Sequence, residues 1–447
     1  MASYFRGGIR LPSAKDETLV SPIVTIPAPE ELVIPLPDGA RPCVAVGEHV
    51  LRGQRVAEAA DENVVPVHAG ASGRVAALAP WVHSSGRERV CVAIECDKEQ
   101  QSMSFEGIPD WRNAGREVLL DAVRDAGIAG QMLLRTAKNV DFVIINAAES
   151  TPYESSVYRI VMEQGMDIAD GAAVLHRILP QAELVIGIEE NRTEARTRLE
   201  KLTEGMEGVR IQPLSPKYPQ SSDYLLMRSI AGRELTREMS PEDLGCILID
   251  AASAAAIGRA VRDGIPLMDS VLTAAGGAVK TPRNLRVPVG TSLKAVAAAC
   301  GGFSGEPEKI IVGDSMQGIA QPSMNVPVDK DTKAVLFLEA GEEGGEEPGP
   351  CVHCGRCVDA CPMYLLPCYL YDYARLGLTA ECMNLNIRDC IGCGTCTAVC
   401  PSGIPLSAQI RETGETAGVQ EIDDEDILRI FRRQGGFLSW TNRNDTP

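Results

Sequence analysis

No run of 18 or more apolar residues occurs in this chain, so nothing in it reads as a membrane-spanning helix. The start, Met1-Ala-Ser-Tyr-Phe-Arg6, lacks the apolar centre of a secretory signal. Positive charge is short: 43 Lys and Arg stand against 61 Asp and Glu, a formal net charge of −18. That balance disfavours nucleic acid and anionic membrane surfaces as partners. A disulfide framework is also missing. Of the 15 cysteines, Cys43, Cys91, Cys96, Cys246, Cys300, Cys368 and Cys382 show no paired spacing, which points to a reducing compartment. What remains is an ordinary globular composition, 45% hydrophobic and 23% charged. Its 447 residues are enough for about three domains.

The most specific stretch runs from Cys351 to Pro401. Cys351, Cys354, Cys357 and Cys361-Pro362 repeat the spacing of Cys390, Cys393, Cys396 and Cys400-Pro401. Both blocks read Cys-x2-Cys-x2-Cys-x3-Cys-Pro, the spacing of a bacterial two-cluster ferredoxin. Three thiolates three residues apart wrap three corners of a 4Fe–4S cube, and the Cys before Pro ligates the other cube. The expected sets are Cys351, Cys354, Cys357 and Cys400 for cluster A, and Cys390, Cys393, Cys396 and Cys361 for cluster B. Gly355, Gly392 and Gly394 let the backbone close in on the sulfides. A pair of zinc knuckles shares the Cys-x2-Cys element, but zinc motifs usually come as two separated pairs, not two matching blocks of four. Cys368 and Cys382 match no ligand position and read as small apolar fillers.

The rest of the chain divides by pattern. Residues 1–30 form an extended arm, where repeated Pro argues against a helix. Residues 31–100 carry short apolar strands with Gly turns, as in a small barrel or sandwich. Gly47-x2-Val50-x2-Gly53-Gln54 and Ser72-Gly73-x-Val75 resemble the biotinyl type of barrel-sandwich hybrid. The matching segment Ala60-Asp-Glu-Asn-Val-Val65 has no carrier lysine, so the scaffold is expected without that chemistry. His49 and His68 read as surface or packing residues. Residues 115–265 alternate helix and strand, with continuous apolar runs such as Phe142–Asn146, Leu184–Ile188 and Cys246–Ile249. That pattern implies an α/β layer on a mostly parallel sheet. A helix is expected over Ile168–Leu179. Residues 266–335 switch to short strands with one helix at Leu293–Ala299, a unit of β-grasp size. An acidic linker, 340–350, leads into the cluster domain, 351–415, and a tail, 420–447, follows.

The order of these pieces resembles the RnfC family, components of the Rnf ion-translocating ferredoxin:NAD oxidoreductase. The residues that carry the resemblance are Phe5-Arg-Gly-Gly-Ile9, Asn146-Ala-Ala-Glu149-x2-Pro-Tyr153, Gly187-Ile-Glu-x-Asn191, Tyr218-Pro-Gln220, Gly276-Gly-Ala-Val-Lys280 through Gly290, and the cluster block. The middle also resembles the flavin-binding subunit of respiratory complex I. The resemblance implies a barrel-sandwich hybrid, an α/β flavin-type domain, a β-grasp (SLBB-like) domain and a two-cluster ferredoxin domain. It further implies membrane subunits and a soluble carrier such as ferredoxin as partners, and a peripheral place on the cytoplasmic face of the cell membrane. Any flavin site would use Lys138, Asn146, Glu149 and Glu189.

The chain departs from the family at that pocket. The family's Gly-Gly-Ala-Gly-Phe-Pro-Thr is here Gly127-Ile-Ala-Gly130-Gln-Met-Leu. Glu-Cys-Glu-Pro-Tyr is Glu149-Ser-Thr-Pro-Tyr153, Tyr-Pro-Gln-Gly-Gly is Tyr218-Pro-Gln-Ser-Ser222, and a paired Asn is Ile249-Asp250. Gly-Gly-Pro-Met-Met-Gly is Gly313-Asp-Ser-Met-Gln-Gly318. These changes imply a nucleotide pocket lost while the electron path is kept, with two 4Fe–4S clusters and no FMN. Two other expectations stand beside it: an FMN-containing subunit with a rearranged flavin site, and a scaffold whose clusters only hold the domain together.

Overall fold

Four strands build the layer on which the middle of the chain is arranged: β1 (Phe142–Asn146), β2 (Glu183–Glu189), β3 (Val209–Leu214) and β4 (Cys246–Asp250). The computed structural model describes residues 5–59, 61, 64–129, 131–136, 139–236, 239–342 and 347–416. The sheet order is β3-β2-β1-β4, and every neighbour is parallel. Ile145 pairs with Ile186 on one side and Ile249 on the other, so the strand is apolar on both faces and buried between helix layers. The chain steps outward from β1 to β3 and then returns to β4 on the far side of β1. This puts a switch point between the carboxyl ends of β1 and β4, at Asn146 and Asp250, where open α/β sheets bind ligands.

Helices α1 (Ser156–Ile178) and α2 (Ala251–Asp263) pack together over this sheet. They approach at backbone contact. A Cβ on Gly171 would lie 1.9 Å from the Ala254 carbonyl, and one on Gly258 would lie 2.2 Å from that of Asp167. The expected helix at Ile168 is the second half of α1, which begins at Ser156 and bends at Gln164. Gln164-Gly165 interrupts the apolar period and hides the first half from a pattern search. Short helices at Gln131–Thr136 and Asp223–Ile230 join the expected ones.

Residues 31–96 are β, as expected. Strands at Glu31–Pro35, Gly73–Val82 and Glu88–Cys96 belong to a four-stranded sheet, and a second, three-stranded sheet completes the barrel-sandwich. His49 is exposed and hydrogen-bonds Asp97, whereas His68 is buried. The β-grasp unit is a six-stranded mixed sheet with the helix Leu293–Ala299 against it. Its edge strand, Ile23–Thr25, comes from the N-terminal arm and pairs with Asn284–Arg286. The arm also holds a five-residue helix, Asp16–Val20, where none is expected. It lies between the two Pro-rich stretches that argue for extension.

The chain forms two compact units, Met1–Glu347 and Pro348–Pro447. The second has its own apolar core around Leu370, Cys382, Ile387 and Ile410, all buried. The tail 420–447 and part of the acidic linker lie outside the described residues. Among the described residues no helix is long and apolar enough to cross a membrane.

Candidate functional site

Two short loops in the second unit share one local design. Gly355 and Gly394 have φ near 77° and cap the helices Arg356–Ala360 and Thr395–Ala398. A left-handed residue at each point turns the chain sharply, and glycine takes that conformation at no steric cost. Cys357 and Cys396 then fall at the second position of each helix and are buried. Cys361 lies just past its helix, in extended backbone.

The eight cysteines of the two blocks line two cavities. One is bordered by Cys351, Cys354, Cys357 and Cys400, the other by Cys361, Cys390, Cys393 and Cys396. Each cavity therefore takes three thiols from one block and the fourth from the other. Among the described residues no three His, Cys, Asp or Glu side chains converge as closely as one metal ion would require. Four thiols around each cavity form a donor set that fits a 4Fe–4S group. The two sites differ in depth: Cys354 is exposed, while Cys361, Cys393 and Cys396 are buried. Beside the second site, the Thr395 hydroxyl lies 3.2 Å from the Cys393 sulfur. Cys382 is a buried filler whose thiol faces the Leu370 carbonyl. Cys368, half-buried against the same core, lines the first cavity.

The second candidate lies at the switch point in the first unit. Asn146, Glu149 and Glu189 come together there, while Lys138, Gly130 and the side chains of Gln131 and Met132 lie outside the described residues. Glu189 accepts the Glu149 N–H at 2.8 Å, and Glu149 accepts the Val157 N–H at 2.8 Å, in the first turn of α1. Asn146 bridges the Ser221 carbonyl and the Ala148 N–H. Asp250 closes α2 in the same way. One oxygen accepts from Ala252 N and Ser253 N, both at 3.0 Å, and the other from the Ser253 hydroxyl at 2.7 Å. A helix N-terminus is a ready seat for phosphate. Here both seats are filled by the chain's own carboxylates.

The crevice gathers carboxyl groups whose charge burial disfavours, with two lysines among them. Burial pushes the Glu149 carboxyl up, against the pull of the Lys15 ammonium. Burial raises Glu189 as well, with Lys15 opposing. Lys15 comes from the arm, is buried, and donates to the Glu149 carbonyl at 2.8 Å while lying 3.7 Å from its carboxylate. Lys333 faces the crevice from the β-grasp unit. Burial disfavours its charge, but Asp250, Glu154, Asp331 and Asp223 outweigh burial and raise it. Neither lysine carried a signal in the sequence: one stands in an arm without period and the other in a loop. The crevice is not fully packed. A cavity of about 200 Å³ remains beside Asn146, Glu149, Ser222, Gln317 and Lys333. Its wall is polar: Ser221 bonds Asn146 and Ser150, and Gln317 donates to the Tyr218 hydroxyl.

Comparison with known proteins agrees with this division. Residues 3–99 match the RnfC barrel sandwich hybrid domain, 124–259 the Nuo51 FMN-binding domain, 261–320 the SLBB domain and 350–404 the 4Fe-4S dicluster domain. The chain is 33% identical to the RnfC component of a proton-translocating ferredoxin:NAD(+) oxidoreductase complex from Clostridium ljungdahlii, over 83% of this chain and 84% of that one. It is 32% identical to the corresponding component of the Na(+)-translocating complex of Acetobacterium woodii, over 86% and 90% respectively. The corresponding component of an ion-translocating oxidoreductase complex from Yersinia pseudotuberculosis is 33% identical over 94% of this chain, which spans 62% of that longer protein. The chain belongs to the RnfC family, whose members are components of ion-translocating oxidoreductase complexes.

Proposed function

We propose that this chain is the peripheral electron-transfer subunit of an Rnf-type complex, working at the cytoplasmic face of the membrane without a flavin of its own. It relays single electrons between a soluble low-potential carrier of ferredoxin type and the membrane subunits. Cys351, Cys354, Cys357 and Cys400 hold one 4Fe–4S cluster, and Cys390, Cys393, Cys396 and Cys361 the other. When bound, such clusters supply one-electron chemistry at potentials set by burial, charge and hydrogen bonds to the sulfurs. The observation that carries this reading is the crossed gathering of the eight thiols around two cavities.

The chain's residues divide the work. Four thiolates fix each cluster, and the positive-φ glycines bring the loops round it. The exposed Cys354 leaves the first site open to an incoming partner, while the apolar core around Leu370 and Ile410 shields the second from water. In the first unit, Glu149 and Asp250 occupy amides at the starts of α1 and α2, where a phosphate would otherwise be received. Hydride chemistry is therefore absent from this reading.

A second reading has one observation in its favour. Residues 124–259 match an FMN-binding domain, and a cavity remains at the switch point. FMN held there would convert hydride to single electrons. The visible spectrum of the purified chain separates the two. Iron–sulfur absorbance without flavin supports the first. FMN retained through gel filtration, with cluster bleaching on NADH addition, supports the second. A scaffold role is supported instead if the clusters resist reduction and reoxidation while the chain stays bound to its partners.

A further inference from the structure

The first unit has a further cavity, of about 50 Å³, bordered by α1, α2 and the β-grasp sheet. At about 10–15 Å³ for each water-sized occupant it has room for about three to five. Gln164 and Arg259 line it from the two helices. Gln164 is also the residue at which α1 leaves helical backbone, with φ −117° and ψ 21°. The strands Asp269–Ala275 and Arg283–Pro288 contribute Asp269 and Arg286, and Lys333 comes from the residues just before the strand Ala334–Leu338.

Arg259 is the unexplained group here. Its side chain is half-buried and its Nε fully so, yet among the described residues no hydrogen bond or ion pair reaches the guanidinium. Buried charges are ordinarily paired, because an unpaired one is costly. The Gln164 amide, Nε2, is a second buried donor without an acceptor. The nearby carboxylates are engaged elsewhere. Asp167 accepts from Arg262 at 2.9 Å, Asp269 lies 3.5 Å from Arg52 and 3.7 Å from Arg286, and Asp250 takes the α2 amides. Burial works against the Arg259 charge and the Arg286 guanidinium adds to it, with Asp269 and Asp167 opposing. Four cations line the cavity, Arg259, Arg286, Lys330 and Lys333, against three carboxylates.

We propose that this cavity binds one small tetrahedral oxyanion, of the inorganic phosphate or sulfate class, on the free donors of Arg259 and Gln164. Such an anion supplies the acceptors that both side chains lack, and its charge pairs the one guanidinium of the wall that has no partner. A planar guanidinium fork suits an oxyanion better than a point charge does. The bound anion ties the middles of α1 and α2 to the β-grasp sheet. Its seat is built from residues well inside both helices and so differs from the helix starts at the crevice, whose amides Glu149 and Asp250 take. The proposal is independent of the cluster reading.

The test is calorimetric titration of the full-length protein, freed of phosphate and sulfate, with inorganic phosphate, sulfate and acetate at matched ionic strength. Thermal unfolding is followed on the same samples. Wild type should bind one phosphate or sulfate per chain, acetate more weakly, and the transition of the first unit should rise with phosphate concentration. Arg259→Met should weaken phosphate binding about tenfold or more, the scale of hydrogen bonds to a charged group, and abolish the rise. Arg259→Lys, which keeps the charge but not the fork, should fall between the two. Gln164→Leu, which keeps the guanidinium, should weaken binding at least about twofold, and it decides the matter if Arg259→Met does not fold. No binding of phosphate or sulfate at millimolar concentration overturns the proposal. Binding unchanged in Arg259→Met and Gln164→Leu overturns it too, because the anion then sits elsewhere. FMN that displaces phosphate and depends on Arg259 also overturns it, because the seat would then belong to a nucleotide.

Discussion

Replacing Asp250 by Ala should loosen the start of α2 without touching the sheet beneath it. The carboxylate holds two backbone amides and one hydroxyl. Loss of an N-cap of this kind costs about 1 kcal/mol, and loss of hydrogen bonds to a charged group adds about 1–2 kcal/mol. The sum, about 2–3 kcal/mol, raises the local opening equilibrium about 30- to 150-fold. Hydrogen exchange by mass spectrometry on peptides covering 251–263 reads this directly. Asp250→Asn separates cap from charge, since Asn caps about as well as Asp. It should recover at least half of the lost protection. The pH dependence has a definite sign. Burial works against the charge of Asp250, but Lys333, the Ser253 hydroxyl and the α2 amides outweigh burial and hold its carboxyl below the ordinary range. Its contribution is complete above the unfolded value of about 3.9 and fades only as pH falls through the lower folded value. The wild-type advantage over Asp250→Ala, corrected for intrinsic exchange, should be constant between pH 8 and 5. A change below threefold, or an advantage that vanishes between pH 7 and 5, refutes the assignment of this carboxylate to the α2 amides. Neither variant should gain FMN, because Glu149 still takes the Val157 amide at the start of α1.

Lys15→Met removes the buried cation beside Glu149 and leaves only Arg192 acting on Glu189, and should destabilise the first unit by about 3–5 kcal/mol at pH 8. Burial raises both carboxyls above the unfolded value, so the folded state takes up protons as pH falls, and the defect should shrink toward pH 5; urea unfolding at the two pH values checks this. Cys361→Ala and Cys390→Ala should each lose the same cluster, about four irons per chain, and the double variant should lose no more. Cys361→Ala with Cys351→Ala should remove both, which iron analysis distinguishes from ligand sets confined to one block. Gly171→Ala forces a methyl against the Ala254 carbonyl and should lower stability by about 1–3 kcal/mol, visible as an earlier thermal transition of the first unit.

Different parts of this chain were legible to different degrees, for physical reasons. The two cysteine blocks could be read because their members lie within a few residues of each other, so the repeated spacing is visible without a fold. Strands such as Phe142–Asn146 could be read because burial on both faces leaves a continuous apolar run. The first half of α1 could not, because the bend at Gln164 breaks the period. The strand Ile23–Thr25 pairs with residues some 260 positions away, and three residues carry no local signal of that partnership. Lys15 and Glu149 meet only after the arm wraps the α/β layer, so the buried pair belongs to the fold and not to a motif. Cys368 lies outside both blocks in sequence but borders a cavity with four of their thiols. The family departures at the flavin pocket were visible in the sequence. The bonds from Glu149 and Asp250 to helix amides required the structure, because they depend on which amides each carboxylate reaches.

Iron, sulfide and flavin measured together on the purified full-length chain test the central claim most directly. Two cubes of iron in a chain without its own nucleotide cofactor predict about eight irons, about eight sulfides and no stoichiometric FMN. Zinc in place of iron, or about four irons per chain, would contradict the cluster assignment, and one FMN per chain would contradict the reading of the crevice.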